Sequence, residues 1–143
     1  MSLTLRPVDV NYVHQTWPLV KQYVEDALSK GHEFPDWAAC YTVEHVLQFL
    51  VSGQWLMIVA VDEQAQIQGA CTVSFINYPL HRVAFVTTIG GKLISSHDTF
   101  DQLKTLLKSY GATKIQGSGR EAIVRHWKRY NFEPRNTLVE VLI

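Results

Sequence analysis

Residues 111–132, GATKIQGSGREAIVRHWKRYNF, constrain the fold of this chain more than any other stretch. Gly111 stops a helix, residues 113–116 make a short strand, Gly117-Ser118-Gly119 turns the chain, and residues 120–130 form an amphipathic helix. The order sets a strand C-terminus beside a helix N-terminus. Unpaired N–H groups and the helix dipole at such a junction can receive the anionic or polar end of a ligand.

The preceding residues supply further elements. Residues 3–6 alternate and suit a first strand, ended by Pro7. Val13, Trp17, Val20, Val24 and Leu28 recur near a 3.6 period, and Pro18, tolerated in a first turn, places the start of the main helix near Trp17. Residues 31–41, GHEFPDWAACY, read as an irregular loop. Thr42 caps a second helix that buries Val43, Val46, Leu47, Leu50 and Val51, and Gly53 closes it.

Residues 55–61 are a continuous apolar run suited to a buried central strand. Residues 67–76 and 82–89 follow as the next two strands of a meander, joined by turns at 62–66 and 77–80. Gly90-Gly91 breaks the pattern. Asp98 is the N-cap expected for a third helix carrying Phe100, Leu103, Leu106, Leu107 and Tyr110, and residues 137–143 read as a final strand. The order β-α-α-β-β-β-α-β-α-β predicts an α/β fold with a mixed central sheet, in one domain over residues 1–143.

Bulk properties exclude several function classes. With 47% hydrophobic and 18% charged side chains, 143 residues can build a core, and disorder is not expected. Thirteen basic and thirteen acidic residues cancel, which removes the general electrostatic case for nucleic acid or a membrane surface. The basic group Arg120, Arg125, Lys128 and Arg129 is a local exception that motivates only a weak nucleic-acid reading. Two cysteines, Cys40 and Cys71, lack CxxC spacing, so neither a disulfide framework nor a zinc site is indicated. The start MSLTLRPVDV has no signal-peptide character, and no apolar run reaches the roughly 20 residues of a membrane span. A cytoplasmic chain is the expectation. No Gly-x-Ser-x-Gly, P-loop or GxGxxG motif occurs, and the six histidines form no i, i+4 metal pair.

The element order resembles that of the GNAT fold, the superfamily of Gcn5-related N-acetyltransferases. The resemblance is sharpest at IQGACTV (residues 67–73), similar to the family's third strand, and at REAIVRHWKRYNF (residues 120–132), similar to its helix ending in Gly-Phe. Trp17-Pro18, Gly53 with Trp55-Leu56, Tyr78-Pro79, Gly90-Gly91 and Gly119-Arg120 together resemble small GNAT-like proteins of bacteriophages.

The resemblance implies transfer of an acetyl group from acetyl-CoA to an amine. In the family the fourth strand splays from the fifth, and pantetheine lies in the gap. The residues it assigns to acetyl-CoA are Val86, Thr87 and Thr88 on the strand, Gly90, Gly91, Lys92, Ser95 and Ser96 in the loop, and Arg120 at the last helix. Each has a plainer reading: a strand-ending turn for the glycines, a solvated surface side chain for Arg120, and β-branched strand formers for Thr87 and Thr88. The loop's spacing differs from the family's Gln/Arg-x-x-Gly-x-Gly/Ala.

Aligned on Asn131-Phe132, the family's acidic Tyr falls on Trp127, whose indole cannot titrate usefully. Tyr130 is the nearest phenol and the candidate acid. His81 is the candidate base, with His32, Glu33, Glu44 and His45 as alternatives, each alone better explained as a turn or surface residue. Trp37, after Pro35, is a candidate exposed binding aromatic. Two functions follow as expectations. One is an acetyl-CoA-dependent N-acyltransferase of a small-molecule or protein amine. The other is an inactive GNAT-like component of a phage virion, or a protein that engages a host protein. No metal is expected.

Overall fold

Apolar alternation and helical periodicity resolve, among the described residues, into five strands and four α-helices. The computed structural model describes residues 2–31, 40–119, 121–141 and 143. The elements are β1 (Thr4–Val8), α1 (Val13–Gly31), α2 (Val43–Val51), β2 (Trp55–Val61), β3 (Ile67–Asn77), β4 (Arg82–Gly91), α3 (His97–Ser109), β5 (Lys114–Gly117) and α4 (Glu121–Lys128). One sheet runs β1-β2-β3-β4-β5, antiparallel through β4 and parallel between β4 and β5. The mixed α/β sheet expected from the sequence is present.

Because strand side chains alternate, each face of the sheet takes its own cover. Leu5, Ile58, Ala60, Cys71, Val73, Ala84 and Val86 pack with Phe100, Leu103 and Leu107 of α3 and with Tyr130 beyond α4. Met57, Val59 and Ala70 pack on the other side with Val13, Val20 and Val24 of α1 and Val46 and Leu50 of α2. The i, i+3/i+4 spacing on each helix is what lets it bury one stripe.

Four expectations need correction. First, α1 begins at Val13, so Pro18 lies inside it. Val13 is buried, and a 3-10 turn capped by Asp9 leads into the helix, so the helical start is carried upstream of the proline. Pro18 and His14, one turn before it, are both exposed, so the carbonyl left without its N–H partner lies on the solvent side. Second, β1 continues through Pro7 to Val8. Leu5 directs its N–H away from β2 to the Gln102 side chain, and two residues on Pro7 has no N–H to lose on that outer edge.

Third, Ser96 rather than Asp98 caps α3, in a reciprocal pairing with Thr99, while Asp98 sits in the first turn and accepts from Gln102 at 3.0 Å. Fourth, among the described residues no strand forms at the C-terminus. Leu138, Val139 and Val141 are 78–85% exposed, and the described residues beyond Phe132 pair with no strand. Thr42 caps α2 as expected, with His45 as its reciprocal partner.

Candidate active site

The candidate site starts where two parallel strands part. β4 and β5 pair from Val83 with Lys114 to Val86 with Gly117, where β5 ends. β4 continues to Gly91, so about 16 Å of strand, at 3.3 Å per residue, extends past the end of β5. Among the described residues, no hydrogen bond reaches the β5-facing backbone of residues 87–91, whose recorded bonds run to β3 or are made by side chains. An edge with free N–H and C=O groups can take up an extended, amide-bearing ligand as though it were a strand.

A bulge marks the same point. The β3–β4 register shifts between Thr72 and Val73, so Thr72 faces Thr88 and Val73 faces Val86, with Thr87 as the extra residue. Three hydroxyls hold it. Thr87 Oγ1 donates to the Thr72 carbonyl at 2.9 Å. Its oxygen can then accept from Thr72 Oγ1 at 2.7 Å, which leaves Thr72 to accept from Thr88 Oγ1 at 2.7 Å. The chain of donors therefore runs Thr88 to Thr72 to Thr87 to a backbone carbonyl. Thr72 and Thr88 are buried, and this connected network satisfies hydroxyls that would otherwise be costly there.

Beyond the bulge, packing accounts for the glycines. A Cβ on Gly90 would come within 2.7 Å of the Tyr23 carbonyl oxygen of α1, and Gly91 has φ +68° with Gln68 O only 2.5 Å from the same position. Both belong to β4 and pair with Ala70 and Gly69. The Lys92 N–H donates to Gln68 O, while its side chain is exposed. Leu93 and Ile94 are buried, and His126 of α4 meets the Ile94 carbonyl at 3.2 Å. The N–H groups of Ser95 and Ser96 donate to Thr99 Oγ1. This loop is fixed from four directions, and it ends at the N-terminus of α3, where the N–H groups of His97 and Asp98 have no intrahelical acceptor. Arg120 lies outside the described residues, as do His32, Glu33 and Trp37.

On the β5 side, the indole of Trp127 fills the space over Gly117, 2.6 Å from where a Cβ would be. Tryptophan at this position thus has a packing reason, and Gly117 is the residue that admits it. Asn131 takes φ +67°, the left-handed conformation that asparagine tolerates best after glycine, so it closes the helix as a glycine would. Tyr130 is buried, its ring edge-on to His97 and His126 and tilted against Phe100.

His81 is placed elsewhere. It is exposed before the start of β4, about 20 Å of strand away from the bulge, with Nδ1 2.9 Å from Thr113 Oγ1. The structure does not bring it to the parting. Glu44 is exposed in the first turn of α2, and His45 is engaged in that helix's cap.

Reading the sequence missed Thr72, Tyr23 and His126. Threonine in a strand and tyrosine on a helix carry no local signal, and only the fold sets them against the bulge, the glycines and the loop. Two surface grooves lie apart from the parting: one of about 310 Å³ between α1 and α2, another of about 410 Å³ along α3 beside β1. Burial pushes the Cys71 thiol up to about 12, which makes it inert rather than nucleophilic. Asp62 is lowered by accepting from the backbone N–H of Gln66, and it organises the β2–β3 turn far from β5. Among the described residues no cluster of three His, Cys, Asp or Glu could hold a metal, and no helix is long and apolar enough to cross a membrane.

No protein-family model matches the sequence, and no curated protein is similar to it by sequence. Solved structures match along its whole length. A predicted acetyltransferase from Clostridium acetobutylicum, solved with acetyl-CoA, is similar over 99% of this chain and 96% of its own, with TM-score 0.63 and 15% identity. A GCN5-related N-acetyltransferase from Ralstonia eutropha JMP134 is similar over 99% of both chains, with TM-score 0.63 and 10% identity. The fold is that of the GNAT acetyltransferases. An aminoglycoside acetyltransferase from an uncultured soil metagenomic sample, solved in complex with sisomicin, has the same GNAT fold at TM-score 0.65 and 12% identity, over 99% of this chain and 96% of its own. At such identities the likeness is one of architecture.

Proposed function

We propose that the chain is an acetyl-CoA-dependent N-acetyltransferase whose cofactor lies in the parting of β4 and β5. The observation that carries this reading is the combination of a free β4 edge over residues 87–91 with the bulge at Thr87, at the end of β4 that leads to the N-terminus of α3. Pantetheine amides would bond to the β4 edge. The unpaired N–H groups of α3 and the exposed Lys92 ammonium suit an anionic diphosphate, and Ser95, Ser96 and Arg120 stand in the proposed contact set beside Val86, Thr87, Thr88, Gly90 and Gly91. A solved relative in fold holds acetyl-CoA, which supports the choice of ligand.

The chemistry asks for alignment more than for covalent machinery. A neutral amine attacks the thioester carbonyl, a backbone N–H at the bulge stabilises the oxyanion, the C–S bond breaks, and the amine's proton leaves while the thiolate gains one. Tyr130, held between two imidazoles, is the proposed donor to the thiolate. The acceptor is a small-molecule or protein amine.

A second reading has one observation in its favour. Among the described residues at the parting, Trp127 replaces a titratable phenol and His81 is remote, so the site offers little acid or base. A GNAT-like protein of a phage particle, or one that binds a host protein, would need neither.

Acetyl-CoA separates the two. Binding at a hundredfold excess over Kd adds about 2.7 kcal/mol of stability, so millimolar acetyl-CoA should raise the melting temperature by several degrees. Release of free CoA on addition of an amine panel would then establish catalysis. No shift, together with no heat of binding in calorimetry, overturns the enzyme reading. A shift without CoA release from any amine favours the second.

A further inference from the structure

The far end of the parting has two walls. One is the loop that follows β4, residues 92–96, and the other is α4, which follows β5. The ladder between the two strands ends at Val86 and Gly117. Beyond that pair, among the described residues, one hydrogen bond outside the ladder joins the walls: His126 Nε2 meets the Ile94 carbonyl oxygen at 3.2 Å. A carbonyl only accepts, so Nε2 carries the proton. The loop's other tethers come from its own side of the parting. Gln68 O holds the Lys92 N–H, and Thr99 Oγ1 holds the N–H groups of Ser95 and Ser96. Rings pack beside the bond: the Tyr130 ring centre lies 5.1 Å from that of His97, 5.2 Å from that of Phe100 and 5.6 Å from that of His126. Apolar packing is non-directional and lets surfaces slide, whereas a hydrogen bond fixes one donor to one acceptor.

We propose that His126 is a positioning residue that straps the loop to α4 and so sets the width of the parting for the cofactor. This rests on the proposed reading of the site, in which the loop and the N-terminus of α3 take the diphosphate. Ile94 is buried and stands between Lys92 and Ser95, so a shift of its carbonyl carries those contacts with it. Without the N–H of His126, that carbonyl loses its partner, and the loop can regain one only by moving. A displacement of about 1 Å is enough to spoil an aligned site. His126 need not touch cofactor or substrate to act in this way. Its ring contact with Tyr130 passes the same restraint to the proposed proton donor.

Two substitutions separate the N–H from the ring. His126→Phe keeps a ring beside Tyr130 and removes the donor, while His126→Gln offers a side-chain amide N–H in place of Nε2 and removes the ring. In calorimetry well below the melting temperature, His126→Phe should weaken acetyl-CoA binding about tenfold, the scale of one lost hydrogen bond. His126→Gln should stay within about threefold of wild type. Hydrogen exchange at the Ser95 and Ser96 amides, followed without ligand, should quicken in the Phe variant and return towards wild type in the Gln variant. His126→Leu, with neither N–H nor ring, repeats the first arm if the Phe variant does not fold. A Phe variant that binds acetyl-CoA as tightly as wild type overturns the strap and leaves the reading of the site intact. Unchanged exchange in the Phe variant does the same, and so does a Gln variant as weak as the Phe variant, since the histidine would then serve packing alone. A wild-type chain that binds no acetyl-CoA overturns both.

Discussion

The two ends of β4 solve opposite problems. At its start the strand is tied down by side chains: Arg82 donates to the Tyr110 carbonyl and to Asn77, its guanidinium lies 4.3 Å from the centre of the Phe75 ring, and His81 and the Arg82 N–H share the Thr113 hydroxyl. At its far end β5 stops, a bulge interrupts the ladder, and among the described residues one edge of the strand has no hydrogen-bond partner. On the proposed reading, a strand closed at one end and open at the other would localise ligand chemistry without any conspicuous residue.

The largest test is a change that should wreck the open end. Gly91→Val places a β-branched side chain at φ +68° against Gln68 O, and strain plus overpacking should cost about 3 kcal/mol or more in urea denaturation. Thr72→Val removes the middle hydroxyl of the chain at nearly constant volume. The stranded Thr88 hydroxyl should lower stability by about 1–3 kcal/mol, and acetyl-CoA affinity should fall with it as the bulge loosens. Unchanged affinity would mean that the bulge does not shape the site.

Cys71 gives a probe next to that end, since it pairs across the ladder with Ile89. In the native protein a thiol reagent should label exposed Cys40 quickly and buried Cys71 only on unfolding. Its pH effect has a definite sign. The folded thiol is held at about 12, above its ordinary 9.0. Its contribution is therefore complete below pH 9 and is lost as pH rises towards 12, by at most about 1.4 kcal/mol per pH unit. The smallest effect belongs to the closed end. His81→Ala, at an exposed side chain, should change stability by less than about 0.5 kcal/mol and leave acetyl-CoA binding untouched. A loss of binding there would refute the assignment of the site to the far end.

Legibility followed the same division. The meander, the covering helices and the closing strand–turn–helix were readable because periodicity reports burial, and burial built them. Thr42 was readable as a cap because caps are local. The early start of α1 was not, because Pro18 argued for a later one and the burial of Val13 outweighed it. The candidate site was proposed from the sequence as a stretch of strand and loop. Its workings were not, since the role of Thr72 depends on a register shift and that of Tyr23 on helix-to-strand packing. Residues 137–143 have the composition of a strand, yet the described residues among them pair with no strand, because composition does not report pairing.

The amide of Gln102 has a further consequence. By occupying both a donor and an acceptor of β1, it acts like a chain terminator on a growing polymer. Sheets with two free edges can stack end on end without limit. This one can be extended from one side only, so crowded copies have no route to a fibril through their native edges. Gln102→Ala would remove the terminator, and Pro7 alone would then stand against propagation.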